Sequence, residues 1–454
     1  MRLSHPIQNK RYWLVVVSLL FVACEISAAP AQPQTIVILG AKLIDGTGAP
    51  PIEDSVVMVR ENRIVSVASR GDIEVPAGSR LFDASGKVVM PGLVDLHCHY
   101  GAGREVLERR FALQLAFGVT TARSLGADSA ENLAIIAEAK AGSINAPRLY
   151  TAGSGFSHPS GMPPGSVINR PTTESEARAM VQQLVAAEVD LIKMWVDPTL
   201  DGLLAWGFDW NDGSAPIPKI SAEIRTALVQ EAAKHGLAAV AHIYDEQDVR
   251  QLNSVGVRHF VHTIRSAAVD DNFVRWAKQQ GLSFAPALSK AQDSWYLAEH
   301  PEALEDKGLM DFASAKLERL RSPETQTSML ANPQSAQLRL VYARMLRFIK
   351  QMSDANVTIA VGSDSGAGNV AFGWGTHHEM KLLVEDAGLT PLQAITAATG
   401  NGARILEGED AEFGTIEPGQ IADLLVLSAD PMADISNSRQ IERVMQDGRW
   451  LNQD

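Results

Sequence analysis

The stretch VVMPGLVDLHCHY, residues 88–100, closes an apolar run with two histidines one residue apart, His97 and His99, and an aspartate, Asp95, two residues before them. Successive side chains of a β-strand alternate faces, so Asp95, His97 and His99 would share one face. Three polar groups on one face of a strand opened by Val-Val-Met mark a polar site at a strand end. A hydrogen-bonded cluster, or histidines at a solvated edge, would satisfy this stretch taken alone. The rest of the chain decides between these readings.

Upstream of it, TIVILGAKLIDGTGAPPIEDSVVMVRENRIVSVAS reads as short strands divided by Gly, Pro, Asp and Asn turns, a small β-rich lobe. Downstream the texture changes to strands alternating with helical patterns. The candidate strands are GLVDLHCH, GVTTARSLG, RLYTAGS, DLIKMWV, LAAVAHIY, HFVHTI, LSFAPAL and TIAVGSDS. Helical patterns such as TESEARAMVQQLVAAE, SAEIRTALVQEAAKHG and TPLQAITAATGNGARIL lie between or after them. Eight strands with intervening helices predict a (β/α)8 TIM-like barrel over residues 91–408. The tail, with GTIEPGQIADLLVLSADP and IERVMQDGRWLN, is β-rich again. Segments 32–90 and 409–454 are therefore expected to pair into one composite β-sandwich.

Length and composition agree with a large barrel plus a smaller lobe: 454 residues, 46% apolar and 20% charged. Arg2, Lys10 and Arg11 precede YWLVVVSLLFVA, an apolar run too short to span a bilayer, and Ala29-Pro30-Ala31 follows. That order reads as a signal peptide over residues 1–31, hence an exported, periplasmic protein. FVAC loosely resembles a lipoprotein cleavage box, so a lipid anchor at Cys24 is a second outcome. With Cys24 removed, Cys98 is left alone and no internal disulfide can form. Loss of Arg2, Lys10, Arg11 and Glu25 moves the formal charge from −13 to −15, and a nucleic-acid partner, which needs a basic footprint, is not expected. No other segment is long and apolar enough to span a membrane.

Active sites of this barrel fold lie at the C-terminal ends of the strands. Read in order, those ends supply His97 and His99, then Lys193, His242, His262 and Asp364. Each residue alone has a plain structural explanation, but six in barrel order do not. Neutral imidazoles and a carboxylate suit zinc-like cations, and a catalytic site keeps one coordination position open for water. The cation brings the pKa of that water towards 7, and Asp364 can carry its proton to the leaving group. An ammonium at Lys193 would repel metal ions. A desolvated neutral amine, however, can take up carbon dioxide as a carbamate and become a bridging carboxylate.

These residues resemble the amidohydrolase superfamily, over nearly the whole chain after the signal. PGLVDLHCH is similar to its first-strand metal motif and GQIADLLVLSADP to its closing segment. LIK, AHIY, GSDSG and HHEMKLLVEDAGLTPLQAITAATGNGA look most like the imidazolonepropionase-like and prolidase-like branch. The resemblance implies two divalent cations, expected to be Zn2+, with His97 and His99 on the first and His242 and His262 on the second. Carboxylated Lys193 would bridge them, and Asp364 would act as ligand and base. Two departures stand out: Ser124 in TTARSLG replaces the branch's usual acid, and GFSHPSG replaces its Gly-Gly-His-Gly. His158 is expected to fill the histidine role of that second motif.

Tyr244, two residues after His242, is a candidate for stabilising an oxyanion. Arg265 could clamp a carboxylate, with a surface ion pair as its other reading. His259 is expected to face away from His262, and His377 and His378 to be surface or supporting groups. His235 should sit at a helix C-terminus. Trp195, Trp206, Trp210, Trp295 and Trp374, with Phe208 and Tyr296, fall in segments placed after barrel strands and are expected to line an apolar pocket. The function expected is hydrolysis of amide or peptide bonds in small substrates such as Xaa-Pro, other dipeptides and N-acyl amino acids. His158, Tyr244, Arg265 and Trp195 would hold the substrate. A lactone or organophosphate-ester hydrolase is the alternative, and a non-catalytic metal- or solute-binding protein the alternative from another class. The sequence leaves the oligomeric state open.

Overall fold

The N-terminal lobe begins with strands β1 (Ile36–Leu43), β2 (Ile52–Arg60), β3 (Arg63–Ser69), β4 (Arg80–Asp83) and β5 (Val88–Pro91). The structure, a computed structural model, describes residues 34–197 and 218–451. Next come β6 (Leu93–Cys98), β7 (Val119–Ser124), β8 (Arg148–Thr151), β9 (Leu191–Val196), β10 (Ala238–Ile243), β11 (His259–Val261), β12 (Ser283–Ala285) and β13 (Thr358–Ile359). The last strands are β14 (Leu424–Leu427), β15 (Ile441–Gln446) and β16 (Arg449–Trp450).

The two chain ends share one eight-stranded sheet, ordered β16-β15-β14-β5-β1-β2-β3, with β4 paired to β1. Residues 55–59 of β2 are buried without a break, the signature of a strand covered on both faces. Val57 and Val59 pack with Trp450 and Met445 on one side, and Val56 and Met58 pack with Val37 and Ile73 on the other. The expected pairing of the N- and C-terminal segments is thus present, as a single sheet.

The middle of the chain is α/β with parallel sheets. β6, β7 and β8 form one, and β9 to β13 form the other in sequence order. Hydrogen bonds also join the two sheets through the segments just beyond their edge strands. At one edge Phe156 N donates to Lys193 O (2.8 Å) and Trp195 N to Phe156 O (2.9 Å). At the other, Leu96 N donates to Val361 O (3.0 Å) and His99 N to Ser365 O (2.8 Å).

Alternation along β9 sends Ile192, Met194 and Val196 into the main apolar core. Leu191 faces the opposite way and meets Val240, Val261, Ala285 and Ala360 in a smaller cluster. Lys193 and His242 stand two residues beyond Leu191 and Val240, on the same faces, above that apolar floor. The floor supplies burial, and the strand ends supply chemistry. Capped helices fill the connections. Thr173 Oγ1 accepts from Glu176 N ahead of Glu174–Ala186, and Ser221 Oγ accepts from Ile224 N ahead of Ala222–Lys234. Between β12 and β13 lies a long helical insertion, ending in the helix Pro333–Asp354.

Candidate metal centre and active-site cavity

His97 and His99 leave the end of β6 and converge on Asp364, which follows β13. His97 Nε2 lies 3.4 Å and His99 Nε2 3.2 Å from Asp364 Oδ1, and the two Nε2 atoms are 3.2 Å apart. Donors held about 2.0–2.1 Å from one tetrahedral cation lie roughly 3.3 Å from each other. The three atoms therefore already have the spacing of a coordination face, and the donor set fits a divalent cation. Asp364 Oδ2 points to His262, 3.9 Å from its Nε2, and the His242 ring sits 4.1 Å from the His262 ring.

Backbone geometry explains how β11 delivers His262. Val261 faces the apolar floor, so strict alternation would turn His262 outward. His262 instead adopts a left-handed φ of 63°, as Asp364 does at 58°. Such conformations cost of order 1–3 kcal/mol each and persist where surrounding structure enforces them. Part of the enforcement is Asp95, which accepts from Ser363 N (3.0 Å), Ser363 Oγ (2.6 Å), Thr376 Oγ1 (2.6 Å) and His97 N (3.1 Å). The first aspartate of the motif thus ties β6 to the turn that carries Asp364. Gly366 completes this turn: at φ 91°, a Cβ there would lie 2.0 Å from His99 O.

Second partners fix the imidazole tautomers. His99 Nδ1 is 3.1 Å from Gly126 O, and a carbonyl only accepts, so Nδ1 carries a hydrogen and Nε2 is the nitrogen that faces Asp364. His242 Nε2 lies 2.7 Å from Asp197 Oδ2, so Nδ1 is the ring nitrogen available to a cation. Burial pushes His97, His262 and His242 below the usual histidine range, towards the neutral form that metal ligation requires. Burial opposes charge on Asp364. The His97 and His99 imidazoles and the Lys290 ammonium nevertheless hold its carboxyl below the usual range.

Lys193 is 0% exposed, and its Nζ has no hydrogen-bond partner. The Trp195 ring centroid lies 4.9 Å from Nζ. Burial pushes the amine down to about 7. An uncompensated buried amine is expensive for folding alone. A neutral amine is what carbamate formation requires, so both facts fit a bridging role.

The cluster floors a cavity of about 530 Å³. Its walls include Trp195, Met162, Pro163, Pro164, Leu338, Val341 and Met345, with Arg265, Lys290 and Asp293 as charged members. Trp195 belongs to β9 itself rather than to a following loop. Its ring is held flush by Gly126 and Gly155, where an added Cβ would lie 2.5 Å from it.

Other expectations need correction. His158 is not among the wall residues; its Nδ1 accepts from Ser160 N (3.1 Å), and the same loop presents Met162, Pro163 and Pro164 instead. Tyr244 also lies off the wall, its ring 5.3 Å from the Arg265 guanidinium. Arg265 does reach the cavity, but it is buried and its Nη2 donates to Asp197 Oδ2 at 2.7 Å, so this is no surface ion pair. Trp295 packs against Tyr342 and Trp374 against His378, both away from the wall. Trp206, Phe208 and Trp210 lie outside the described residues. His377 and His378 are buried, His377 between Ser438 Oγ and Phe117 O, because their helix is covered on several sides. His259 faces Ser283 Oγ (2.8 Å), and His235 caps Ala222–Lys234, as expected.

Two groups escaped the sequence reading. Asp197 follows β9 directly and holds both His242 and Arg265. Glu379 accepts from Leu288 N, Ser289 N and Ser289 Oγ, pinning the turn that carries Lys290. The position of Asp197, one residue beyond a strand end, was its only available signal.

Known proteins match in the same sense. The profile of the amidohydrolase family matches residues 88–451. An ochratoxinase of Aspergillus niger is 23% identical over 448 residues, covering 90% of this chain and 84% of that one. An imidazolonepropionase of Symbiobacterium thermophilum is 25% identical over 418 residues, covering 87% and 92%. Among solved structures, a proposed prolidase from Bifidobacterium longum superposes with a TM-score of 0.72 at 27% identity, over 92% of this chain and 95% of that one. By its profile and by the donors gathered at its strand ends, the chain belongs to the amidohydrolase family and is a hydrolase acting on C–N bonds.

Proposed function

We propose that the protein is an exported, binuclear metal hydrolase that cleaves amide bonds in small substrates with apolar groups. The reading is carried by one observation: His97, His99, His262 and Asp364 converge beside a buried, unpartnered Lys193 beneath an apolar-walled cavity. In this reading the eight strands β6–β13 close into a (β/α)8 barrel, and the composite sheet curls into a sandwich. The parallel bridges Cys98–Ser365 and Phe156–Met194 support the closure.

His97 and His99 would hold one cation, His242 and His262 a second, and carboxylated Lys193 both; Zn2+ is the ion the donor set suits. Bound cations would supply Lewis-acid activation of water and carbonyl. The chain's own residues do the rest. Gly126 O and Asp197 aim two imidazoles. Asp364 takes a proton from the attacking water at a carboxylate oxygen and returns it to the leaving nitrogen. Met162, Pro163 and the helix bearing Leu338, Val341 and Met345 shield the reacting bond from bulk water.

Dipeptides and N-acyl amino acids belong to the amide class. They carry a free carboxylate as well, so their fit turns on whether the wall offers it a cation. The test of the reading is a panel of amides, lactones and phosphotriesters assayed with and without chelator. Amide turnover that chelation abolishes is expected. Faster lactone or phosphotriester turnover, or no turnover at all, overturns it. Export is part of the same proposal and rests on the N-terminal sequence.

A further inference from the structure

Among the described residues, only two wall residues of the cavity are lysine or arginine, Arg265 and Lys290. Each already faces a carboxylate. Arg265 Nη2 is 2.7 Å from Asp197 Oδ2, with both side chains buried. Lys290 Nζ is 2.8 Å from Asp293 Oδ2, a carboxylate only 9% exposed. The segment that joins β9 to the described chain again, residues 198–217, contains no Lys, Arg or His, so it brings no further cation wherever it lies. A substrate carboxylate would meet only charge-paired cations on the wall, since the cations proposed for the floor are committed to the scissile carbonyl and the attacking water. Stripping a carboxylate of water without a dedicated cation is strongly unfavourable. Apart from the Ser294 hydroxyl and the Gly366–Gly368 backbone, the remaining wall is mostly thioether, proline ring, aliphatic chain and indole, which reward apolar surface.

Resting on the amide-hydrolase reading above, we infer that the substrate is an uncharged carboxamide. Both groups flanking its scissile bond are apolar, and neither bears a free carboxylate. Asp197 and Asp293 are then specificity-determining residues, because they quench the cations that would otherwise recruit acids. Dipeptides and N-acyl amino acids become poor substrates on this account.

The experiment compares N-benzoyl-2-phenylethylamine with N-benzoylphenylalanine, a pair that differs by one carboxylate, using the metal-loaded enzyme. The neutral member should show a kcat/KM at least about tenfold higher. Asp293→Asn, which keeps the shape and releases Lys290, should shrink that ratio by about tenfold, chiefly through a lower KM for the acid. A role for Asp293 in folding alone would lower both rates and leave the ratio unchanged. Calorimetric binding of both compounds separates this inference from the hydrolase reading. Tighter binding of the neutral member without turnover defeats only the latter. Equal or stronger binding or turnover of the acid, or failure of the neutral member to bind, overturns the inference.

Discussion

Replacing Lys193 with methionine should act in opposite directions on the metal-free and metal-loaded protein. The amine is wholly buried without a hydrogen-bond partner, and burial lowers its pKa from 10.5 to about 7. For a group depressed in the folded state, stability is fully present above the unfolded value and is lost as pH falls towards the folded one. At pH 7 the shift amounts to about 4 kcal/mol against folding. Local relaxation and water entry reduce this, so Lys193→Met should stabilise the metal-stripped protein by roughly 2–4 kcal/mol at pH 7. The gain should fade as pH rises towards 10.5. Urea unfolding of stripped wild type and variant, at pH 7 and near pH 10, measures it. With metal present the sign should reverse, because the variant cannot form a bridging carbamate. A variant less stable than wild type when metal-free, or one that keeps both metals, would refute the reasoning.

Three further outcomes follow from particular contacts. Gly126→Ala puts a Cβ 2.5 Å from the Trp195 ring at a φ of 101°, and should cost about 1–3 kcal/mol in thermal unfolding as well as reduce kcat/KM. Burial raises the Glu379 carboxyl from 4.5 to about 7 despite its three donors, so its contribution is complete below 4.5 and declines as pH rises to about 7. Glu379→Gln should flatten that decline by roughly 2–3 kcal/mol, read as the difference between wild-type and variant unfolding curves across pH 4.5–7. Expressed in a bacterium with its native N-terminus, the chain should appear outside the cytoplasm lacking about 23–31 residues. Mass spectrometry would show a start near Gln32 for a soluble form or a lipid on Cys24 for an anchored one, and an intact Met1 contradicts both.

All eight strands expected from apolar runs are present, because a strand buried on both faces announces itself in composition. Each of the six ligand candidates lies in or near the end of an apolar run, and three of them, His97, His99 and Asp364, stand together in the structure. What periodicity could not show depends on neighbours distant in sequence. TPLQAITAATGNGARIL reads as one helix but forms two, Pro391–Ala397 and Gly400–Glu407. The carbonyls of Ala397 and Ala398 are taken by Val361 N and Val94 N, so the first helix ends where strands claim its acceptors. Of the expected aromatic wall Trp195 lines the cavity, whereas Trp295 and Trp374 pack against aromatic side chains of the long insertion. Asp197 was silent because a single acid after a strand looks like any turn residue.

The central claim is that two cations and Asp364 together make the active centre. Metal-stripped protein, titrated with Zn2+ in bicarbonate buffer and followed by elemental analysis and amide hydrolysis, tests it most directly. Activity should rise to saturation as about two cations bind per chain, and Asp364→Asn should remain inactive at full loading. Full activity with a single tightly held cation, or hydrolysis undiminished in the stripped protein, would contradict the account.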